Sequence, residues 1–146
     1  MTPTSAPTTL EEQLVRDERE VLHAYPDSEG YLTIGVGTCI DARAGCGITR
    51  DESRYLLRNR IAIAEQAVAE KLPWTNDLDP VRRAVLENMA FNEGIAHLLD
   101  FQKMLTALAA RDYETAAAEM LDSLWAKEVG DRAHRLAKQM ETGEWV

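Results

Sequence analysis

The longest regular pattern in this chain lies between Thr49 and Pro73. Thr49 and Glu52 have the spacing of a capping box, in which each side chain accepts a hydrogen bond from the backbone N–H of the other residue, and Asp51 adds a favourable charge to the first turn. Apolar residues follow at helical spacing, namely Leu56, Ile61, Ala64, Val68 and Leu72. Because proline cannot continue a helix, we expect one long helix over about residues 50–71.

The chain after this helix has the pattern of a series of shorter helices. Asp79 is a helix N-cap followed by Pro80 at the first helical position, and an apolar face follows. Further helices are expected over about residues 95–99, 101–110, 113–120, 121–127 and 131–142. Asp131 would cap the last of them, Gly143 would end it in the left-handed conformation, and Trp145 would pack back on the core.

The N-terminal segment begins with a tail and continues as a helix. Residues 1–9 are rich in Thr, Pro and Ser, and we expect them to form a flexible tail. Thr9 and Glu12 form another capping box, and a helix is predicted from about Leu10 to His23. The remaining residues, 10–146, are expected to be a single domain.

Strand signals follow this first helix. The stretch from Tyr31 to Ile40 alternates in polarity and contains Gly35 and Gly37, which favours a short twisted hairpin or a small sheet. Because every other segment is helical in pattern, the predicted fold class is α+β and mainly helical.

Composition excludes several classes of function. The 146 residues carry a net charge of −9, which argues against a nucleic-acid partner because phosphate binding needs a basic surface. The N-terminus M-T-P-T-S-A-P-T-T-L lacks the basic and apolar regions of a signal peptide, and no other window approaches a membrane span. We therefore expect that the protein neither binds nucleic acid nor inserts into a membrane. We also expect it to be a monomer.

The cysteines and acidic residues do not form a metal-binding pattern. Cys39 and Cys46 are close enough in sequence to form a disulfide, but two reduced thiols are equally compatible with the sequence. No histidine is near them, so they do not predict a zinc site. The stretch from Asp41 to Glu52 has acids at the first and last positions of a calcium loop, but Arg43 stands where an oxygen ligand is required. No metal or organic cofactor is expected.

Three residues in the stretch Asp17 to Gly37 have the chemistry needed to split a glycosidic bond. Glu18 lies toward the end of the predicted helix among apolar residues, and such surroundings favour the protonated carboxyl that a general acid requires. These apolar neighbours in sequence are Leu14, Val21 and Leu22. Asp27 lies in a polar turn where a carboxylate stays ionised, and Thr33 presents a hydroxyl from the next strand. In a chain with 25 acidic residues, such a pair can also arise by chance on a solvated surface.

The spacing of these residues resembles that of the phage-type lysozymes, glycoside hydrolase family 24. The active-site pattern of that family is Glu, eight residues, Asp, five residues and Thr, and Glu18, Asp27 and Thr33 keep both intervals. Tyr25 between the carboxylates and the run S-E-G-Y-L-T-I-G-V-G are similar to the family's flanks. Thr38 departs from the pattern, because the typical member of the family has a histidine there.

Two further segments extend the resemblance over about Leu10 to Trp145. The run L-D-P-V-R-R-A-V-L-E-N-M-A-F is similar to the corresponding family segment, which implies that Asn88 and Phe91 contact sugar. The run D-R-A-H-R matches the Arg-Ala-x-Arg segment, which implies that Arg132 is the ion-pair partner of Glu18 and positions it. Without the resemblance, these three residues would be an ordinary helix-end amide, a core aromatic and an exposed charge.

The resemblance also implies an arrangement in lobes. A small β-containing lobe would comprise about residues 25–55, joined by the long helix at about 50–71 to a helical lobe made of residues 10–24 and 72–146. The family's substrate is peptidoglycan, cleaved between N-acetylmuramic acid and N-acetylglucosamine. Glu18 would be the general acid, and Asp27 and Thr33 would hold and activate water, which implies an inverting reaction.

The expected setting is host cell lysis by an endolysin that stays in the host cytoplasm until a separate holin lets it reach the periplasm and cell wall. Two alternatives remain open from the sequence. A lytic transglycosylase cuts the same bond with one acid and no water, and a non-catalytic peptidoglycan-binding protein could keep the same fold.

Overall fold

The computed structural model describes residues 5–146, so the first part of the predicted tail, residues 1–4, lies outside the described residues. The helices are α1 Leu10–Glu18, α2 Arg50–Lys71, α3 Pro80–Glu93, α4 Ile95–Leu99, α5 Gln102–Ala109, α6 Tyr113–Leu121, α7 Leu124–Val129 and α8 Asp131–Thr142. The strands are β1 Val21–Pro26, β2 Leu32–Gly35 and β3 Thr38–Cys39. Short 3-10 turns cover Ala42–Ala44 and Pro73–Asp77. The mainly helical α+β class is confirmed.

Helix α1 begins as predicted and ends earlier. The Thr9 hydroxyl accepts a hydrogen bond from the Glu12 backbone N–H at 3.1 Å, while the Glu12 carboxylate bonds to Thr8 rather than completing the box with Thr9. Arg19 adopts a φ of 65°, a conformation that side-chain-bearing residues seldom adopt and that ends the helix at Glu18. The predicted extension to His23 is therefore wrong, because the following residues form β1.

The three strands form one antiparallel sheet in the order β1-β2-β3. The predicted hairpin is confirmed by β2 and β3, and β1 adds a strand on the other side of β2. Tyr25 is opposite Thr33, and Pro26 is opposite Leu32. On the β3 side, Thr33 is opposite Cys39. Thr33 thus lies on the central strand.

Helix α2 has the predicted capping box and length. The Thr49 N–H donates to the Glu52 carboxylate at 2.7 Å, and the Glu52 N–H donates to the Thr49 hydroxyl at 3.2 Å. The helix ends at Lys71, and the chain turns at Pro73. No helix within residues 5–146 combines the length and apolar composition needed to cross a membrane.

The chain divides into two compact units, the first ending at Arg54 and the second running from Tyr55 to Val146. The first unit contains α1, the sheet and the start of α2, so residues 10–24 group with the sheet and the boundary falls inside α2. The placement of residues 10–24 in a helical lobe stays a prediction.

The apolar core belongs to the second unit. Its largest fully buried apolar side chains, contributed by α2 to α6 and α8, are Leu86, Met89, Leu98, Met104, Leu108, Met120, Met140, Val68 and Val85. Burying one such side chain stabilises a fold by roughly 1.5–3 kcal/mol, so this core is the main source of stability in that unit. Gly143 ends α8 in the left-handed conformation, as predicted.

Two details of the C-terminal segment differ from the prediction. The N-cap of α8 is Gly130, and Asp131 is the first helical residue, because the preceding helix α7 runs on to Val129. Trp145 does not pack into the core, since its side chain is 71% exposed. Its position after the helix end leaves it at the surface.

Candidate active site

Glu18 is the last residue of α1, and its side chain reaches toward the β2–β3 hairpin. A Cβ atom built on Gly37 would lie 3.0 Å from Glu18 Oε2. Gly37 also has a φ of +67°, which favours glycine. The absence of a side chain at this position therefore lets the carboxyl group lie directly against the hairpin backbone.

The apolar surroundings predicted for Glu18 are not formed. The Glu18 side chain is exposed, and Leu22 is 83% exposed. The physical reason is that Val21 and Leu22 belong to β1 rather than to another turn of α1, so they do not share a helical face with Leu14.

Asp27 is held in a tight polar turn between β1 and β2. Its Oδ1 atom accepts hydrogen bonds from the N–H groups of Glu29 and Tyr31, both at 2.9 Å. The Asp27 N–H donates to the Tyr31 carbonyl at 2.8 Å, and the Gly30 N–H donates to the Asp27 carbonyl at 3.0 Å. Both bonds to the carboxylate fall on Oδ1, so within residues 5–146 the Oδ2 atom is left for another donor.

Thr33 is joined to the same turn. Its side chain is 4% exposed, and its hydroxyl donates to the Tyr31 carbonyl at 3.2 Å. The N–H and the carbonyl of Tyr31 therefore both bond to Asp27. The same carbonyl also accepts the hydrogen bond from Thr33. Since the Thr33 hydroxyl uses its hydrogen in this bond, its lone pairs are left to accept from a water molecule.

A third carboxylate, Asp41, supports this part of the sheet. It is 5% exposed, and its Oδ2 atom accepts a hydrogen bond from the Leu32 N–H at 2.9 Å. The Arg43 guanidinium beside it, together with the Leu32 N–H, holds the pKa of Asp41 well below its usual range. Cys39 and Cys46, whose state the sequence left open, are joined by a disulfide across the same loop.

The predicted sugar-contacting residues lie together in the second unit. Asn88 Oδ1 accepts hydrogen bonds from Arg132 Nε at 3.1 Å and from Arg132 Nη2 at 2.6 Å. Phe91, 46% exposed, lines the same cavity of about 430 Å³, as does Trp145. Burial raises the pKa of Glu87, which also lines this cavity, and the charge of a neighbouring carboxylate adds to the effect.

The six predicted site residues therefore fall into two groups, one in each unit. Glu18, Asp27 and Thr33 belong to the first unit, whereas the second group, Asn88, Phe91 and Arg132, belongs to the second. The ion pair between Glu18 and Arg132 stays a prediction. Within the described chain, no group of three or more His, Cys, Asp or Glu side chains has an arrangement that could hold a metal ion.

Three contacts were not foreseen from the sequence. The sequence places Gly35 and Gly37 in a hairpin, but it does not indicate that Glu18 approaches Gly37. Asp41 and Arg43 were considered only as parts of a rejected calcium loop, although they bond to the strand and turn of the candidate site. An acid followed two residues later by arginine is too common a pattern to have singled them out.

Comparison with known proteins identifies the family to which this chain belongs. The family model described as phage lysozyme matches residues 16–141, which is most of the chain. The chain therefore belongs to the phage lysozyme family. It is a glycosidase, a lysozyme, and its substrate is peptidoglycan.

Relatives with similar sequences come from an amoeba and a phage. "Probable T4-type lysozyme 1" of Dictyostelium discoideum is 26% identical, over 93% of this chain and 95% of the relative. "Probable T4-type lysozyme 2" of the same organism has the same identity and coverage. The pre-baseplate central spike protein Gp5 of Enterobacteria phage T4 is 31% identical over 92% of this chain, which spans only 28% of that longer protein.

Proposed function

We propose that this lysozyme hydrolyses the β-1,4 bond between N-acetylmuramic acid and N-acetylglucosamine, with Glu18 as general acid and with Asp27 and Thr33 holding the attacking water. The observation that carries this proposal is the turn around Tyr31. It fixes one oxygen of Asp27 and the hydrogen of the Thr33 hydroxyl, and it leaves an acceptor on each side chain.

A water molecule suits these two acceptors. It would donate one hydrogen to Asp27 Oδ2 and the other to Thr33 Oγ1, so that a lone pair of its oxygen points away from both. Attack on the anomeric carbon forms the new C–O bond as the glycosidic C–O bond breaks. Asp27 takes the proton from the water, and Glu18 gives its proton to the leaving oxygen.

Glu18 needs to be protonated when the sugar is bound. Because its side chain is exposed in the free protein, the bound polysaccharide would have to exclude water from this carboxyl. Gly37 supports the role of Glu18, since the hairpin backbone confines the carboxyl group on one side. Direct attack by the water held on Asp27 and Thr33 implies inversion at the anomeric carbon, for which carboxyl separations of about 6.5–9.5 Å are typical.

The second unit would bind and orient the chain of sugars. Asn88 and Phe91 line one cavity, and an exposed aromatic ring with a neighbouring amide is a suitable surface for a sugar. Arg132 bonds to Asn88 and has further guanidinium donors that could pair with Glu18. We assign Arg132 to positioning rather than to proton transfer.

The proposed biological role is host cell lysis by a monomeric endolysin, held in the host cytoplasm until a holin gives it access to the wall. Expression with and without a holin tests this role. Lysis should require both proteins, and lysis by the enzyme alone would contradict the proposed route. Light scattering of the purified protein tests the monomer.

The central experiment combines substitution with product analysis. Glu18→Gln should lower turnover of purified peptidoglycan by about 10²-fold to 10⁴-fold, which is the usual contribution of a general acid. The unfolding midpoint should not change. Glu20→Gln, which changes an exposed acid two residues away, is the matched control and should keep wild-type turnover. Substantial activity of Glu18→Gln in a zymogram would remove Glu18 as the acid.

The chemistry of the products separates the alternatives. Digestion in ¹⁸O-labelled water followed by mass spectrometry should show one labelled oxygen at the new reducing end of N-acetylmuramic acid. Anhydromuramic ends without label would instead identify a lytic transglycosylase. Binding to peptidoglycan with no soluble product would identify a non-catalytic binding protein.

The role of Thr33 needs its own pair of variants. Thr33→Ser keeps the hydroxyl and should keep most of the turnover, whereas Thr33→Ala should lower turnover more than stability. The comparison must be made at a temperature where circular dichroism shows both variants folded. If Thr33→Ala lost activity only in proportion to its unfolded fraction, the catalytic role would be wrong.

A further inference from the structure

Asp41 is a buried carboxylate that the proposed chemistry does not use. It follows β3, and its Oδ1 atom accepts a hydrogen bond from the Arg43 N–H at 2.9 Å. Its Oδ2 atom accepts one from the Leu32 N–H at 2.9 Å, while the Leu32 carbonyl accepts one from the Ile40 N–H at 2.9 Å. Both backbone groups of Leu32 are thus held by the segment around Asp41, and the next residue is Thr33.

Arg43 extends this connection to the turn of Asp27. Its Nη2 atom pairs with Asp41 Oδ2 at 2.6 Å and also donates to the Gly30 carbonyl at 3.0 Å. Its guanidinium lies 5.7 Å from the centre of the Tyr31 ring. Gly30 is part of the turn through its bond to the Asp27 carbonyl. The acid and the arginine therefore hold the turn at Gly30 and the start of β2 at Leu32.

Hydrogen bonding holds the pKa of Asp41 well below its usual range, so the carboxylate in this ion pair is ionised. The carboxylate is acceptor-only when ionised, and its hydrogen bonds to the guanidinium and to the Leu32 N–H favour that form. Hydrogen bonds in which one partner is charged are shorter and stronger than neutral ones. Such bonds are suited to hold the backbone atoms of Leu32 and Gly30 in place.

We propose that Asp41 and Arg43 are positioning residues for the lysozyme reaction, which fix the Asp27 turn and the Thr33 strand without contacting substrate. The inference rests on the proposed function, because it takes the geometry of Asp27 and Thr33 to control the attacking water. A misplacement of about 1 Å at a reacting group can cost up to about 10²-fold in rate.

The test compares kcat and KM for Asp41→Ala and for Arg43→Gln in the full chain, at a temperature where circular dichroism shows each variant folded. Each should lower kcat by about tenfold or more through misplacement of the water-holding groups, with KM changed far less. Asp41→Asn should fall between wild type and Asp41→Ala, because its amide oxygen can still accept from Leu32.

The matched control is the pair Asp79 and Arg82 in the second unit. Asp79 likewise accepts the backbone N–H of its arginine, at 2.9 Å, and pairs with its guanidinium, at 3.1 Å. Asp79→Ala should lower the unfolding midpoint while leaving kcat per folded molecule at the wild-type value. An Asp41→Ala variant with wild-type kcat, and with lower stability alone, would give Asp41 the same structural role and overturn the inference.

Two outcomes distinguish a failure of this inference from a failure of the proposed function. If Asp27→Asn retained wild-type kcat, the proposed function would be wrong and the inference with it. If Asp27→Asn were inactive while Asp41→Ala and Arg43→Gln retained wild-type kcat, only the inference would be wrong. Should Asp41→Ala fail to fold, Arg43→Gln still decides, because Arg43 is 69% exposed and its replacement leaves the Leu32 bond to Asp41 in place.

Discussion

The two units of this lysozyme are stabilised by different kinds of interaction. In the first unit, within its described residues, the buried side chains are Thr33 and Asp41, both polar. The turn of Asp27 and the sheet are fixed by carboxylate bonds to backbone N–H groups and by one disulfide. In the second unit, an apolar core of Leu, Met, Val and Ala side chains packs between the helices.

The two kinds of interaction have different consequences, one for the positions of the site atoms and the other for the free energy of folding. Hydrogen bonds are directional, so the polar contacts of the first unit specify where the oxygen atoms of Asp27 and Thr33 lie. Apolar burial is non-directional and supplies most of the free energy of folding. Substitutions in the first unit should therefore change turnover more than stability, and substitutions in the core of the second should do the reverse.

The largest expected effect is on the core of the second unit. Leu108 on α5 is fully buried, and Leu108→Ala should lower the free energy of unfolding by about 2–5 kcal/mol, through lost burial and a cavity. Turnover per folded molecule should stay at the wild-type value. Urea denaturation and a peptidoglycan turnover assay on the same samples measure both quantities.

The control for this change is Leu124, which is 71% exposed. Leu124→Ala should alter the free energy of unfolding by no more than about 0.5 kcal/mol, as is usual for exposed positions. If Leu108→Ala lowered turnover per folded molecule as strongly as it lowered stability, the separation between the units would not hold.

The next largest effect is expected in the first unit, at two glycines that have nearly the same φ angle. Gly35 and Gly37 have φ angles of +66° and +67°, so alanine should cost each about 1–3 kcal/mol of backbone strain. At Gly37 the added Cβ would lie 3.0 Å from Glu18, whereas at Gly35 it would meet no other described residue within 4 Å apart from its chain neighbours. Gly37→Ala should therefore lower kcat by about tenfold or more beyond Gly35→Ala.

Equal loss of kcat in the two alanine variants would mean that strain in the hairpin, rather than the position of Glu18, sets the effect. The measurement is kcat at a temperature where both variants are folded. Gly35→Ala thereby supplies the baseline for strain, because it has the same φ without the contact.

The helices from α2 onward were largely predictable because their limits are set locally. Thr49 with Glu52 and Asp79 with Pro80 are capping signals whose effect depends on residues three or four positions away. Left-handed Gly143 ended α8 where expected. The mainly helical class and the hairpin followed from such signals.

The parts that were missed depend on distant residues. Strand β1 pairs with β2, where Val21 is opposite Gly35, and no local signal distinguishes that strand from another helical turn. Arg19 ends α1 in a conformation that usually favours glycine, so the helix end had no sequence marker. The spacing of Glu18, Asp27 and Thr33 indicates the candidate site, but the hydrogen-bond partners of these residues are set by the fold.

A smaller effect concerns a single cation that links α3 and the end of α8. Arg82 donates to the carbonyls of Met140 at 2.6 Å and Glu141 at 2.8 Å, and its guanidinium lies 3.5 Å from the centre of the Tyr113 ring. Arg82→Lys keeps the charge but loses the planar fork, so we expect a loss of about 1–2 kcal/mol in the free energy of unfolding.

The neighbouring Arg83 provides the control for this substitution. It pairs with Glu87 at 3.4 Å within α3 and is 35% exposed, so Arg83→Lys should cost well under about 1 kcal/mol. Urea denaturation of both variants gives the difference. Equal costs would mean that the carbonyl contacts of Arg82 do not stabilise the end of α8.

The smallest expected effect concerns two carboxylates, the buried Asp41 and the partly buried Glu87. Asp41 has hydrogen-bonding partners that favour its charge, whereas burial and the nearby charge of Glu65 raise the pKa of Glu87, with only partial opposition from Arg83. A raised folded-state pKa means that the ionised form is penalised in the folded state. This penalty is absent below the unfolded-state value of about 4.3 and grows as pH rises through the folded-state pKa.

Glu87→Gln should therefore raise the thermal unfolding midpoint at pH 7 and leave it unchanged at pH 3, where the carboxyl is protonated in both states. Glu65→Gln should give a smaller rise, because it removes only the second cause. Asp41→Asn should have the opposite sign at pH 7, since it removes a carboxylate whose charge is favoured. A lower midpoint for Glu87→Gln at pH 7 would show that the ion pair of Glu87 with Arg83 stabilises the folded state more than burial of the charge destabilises it. Ionisation would then stabilise the folded state at both carboxylates, which contradicts the prediction.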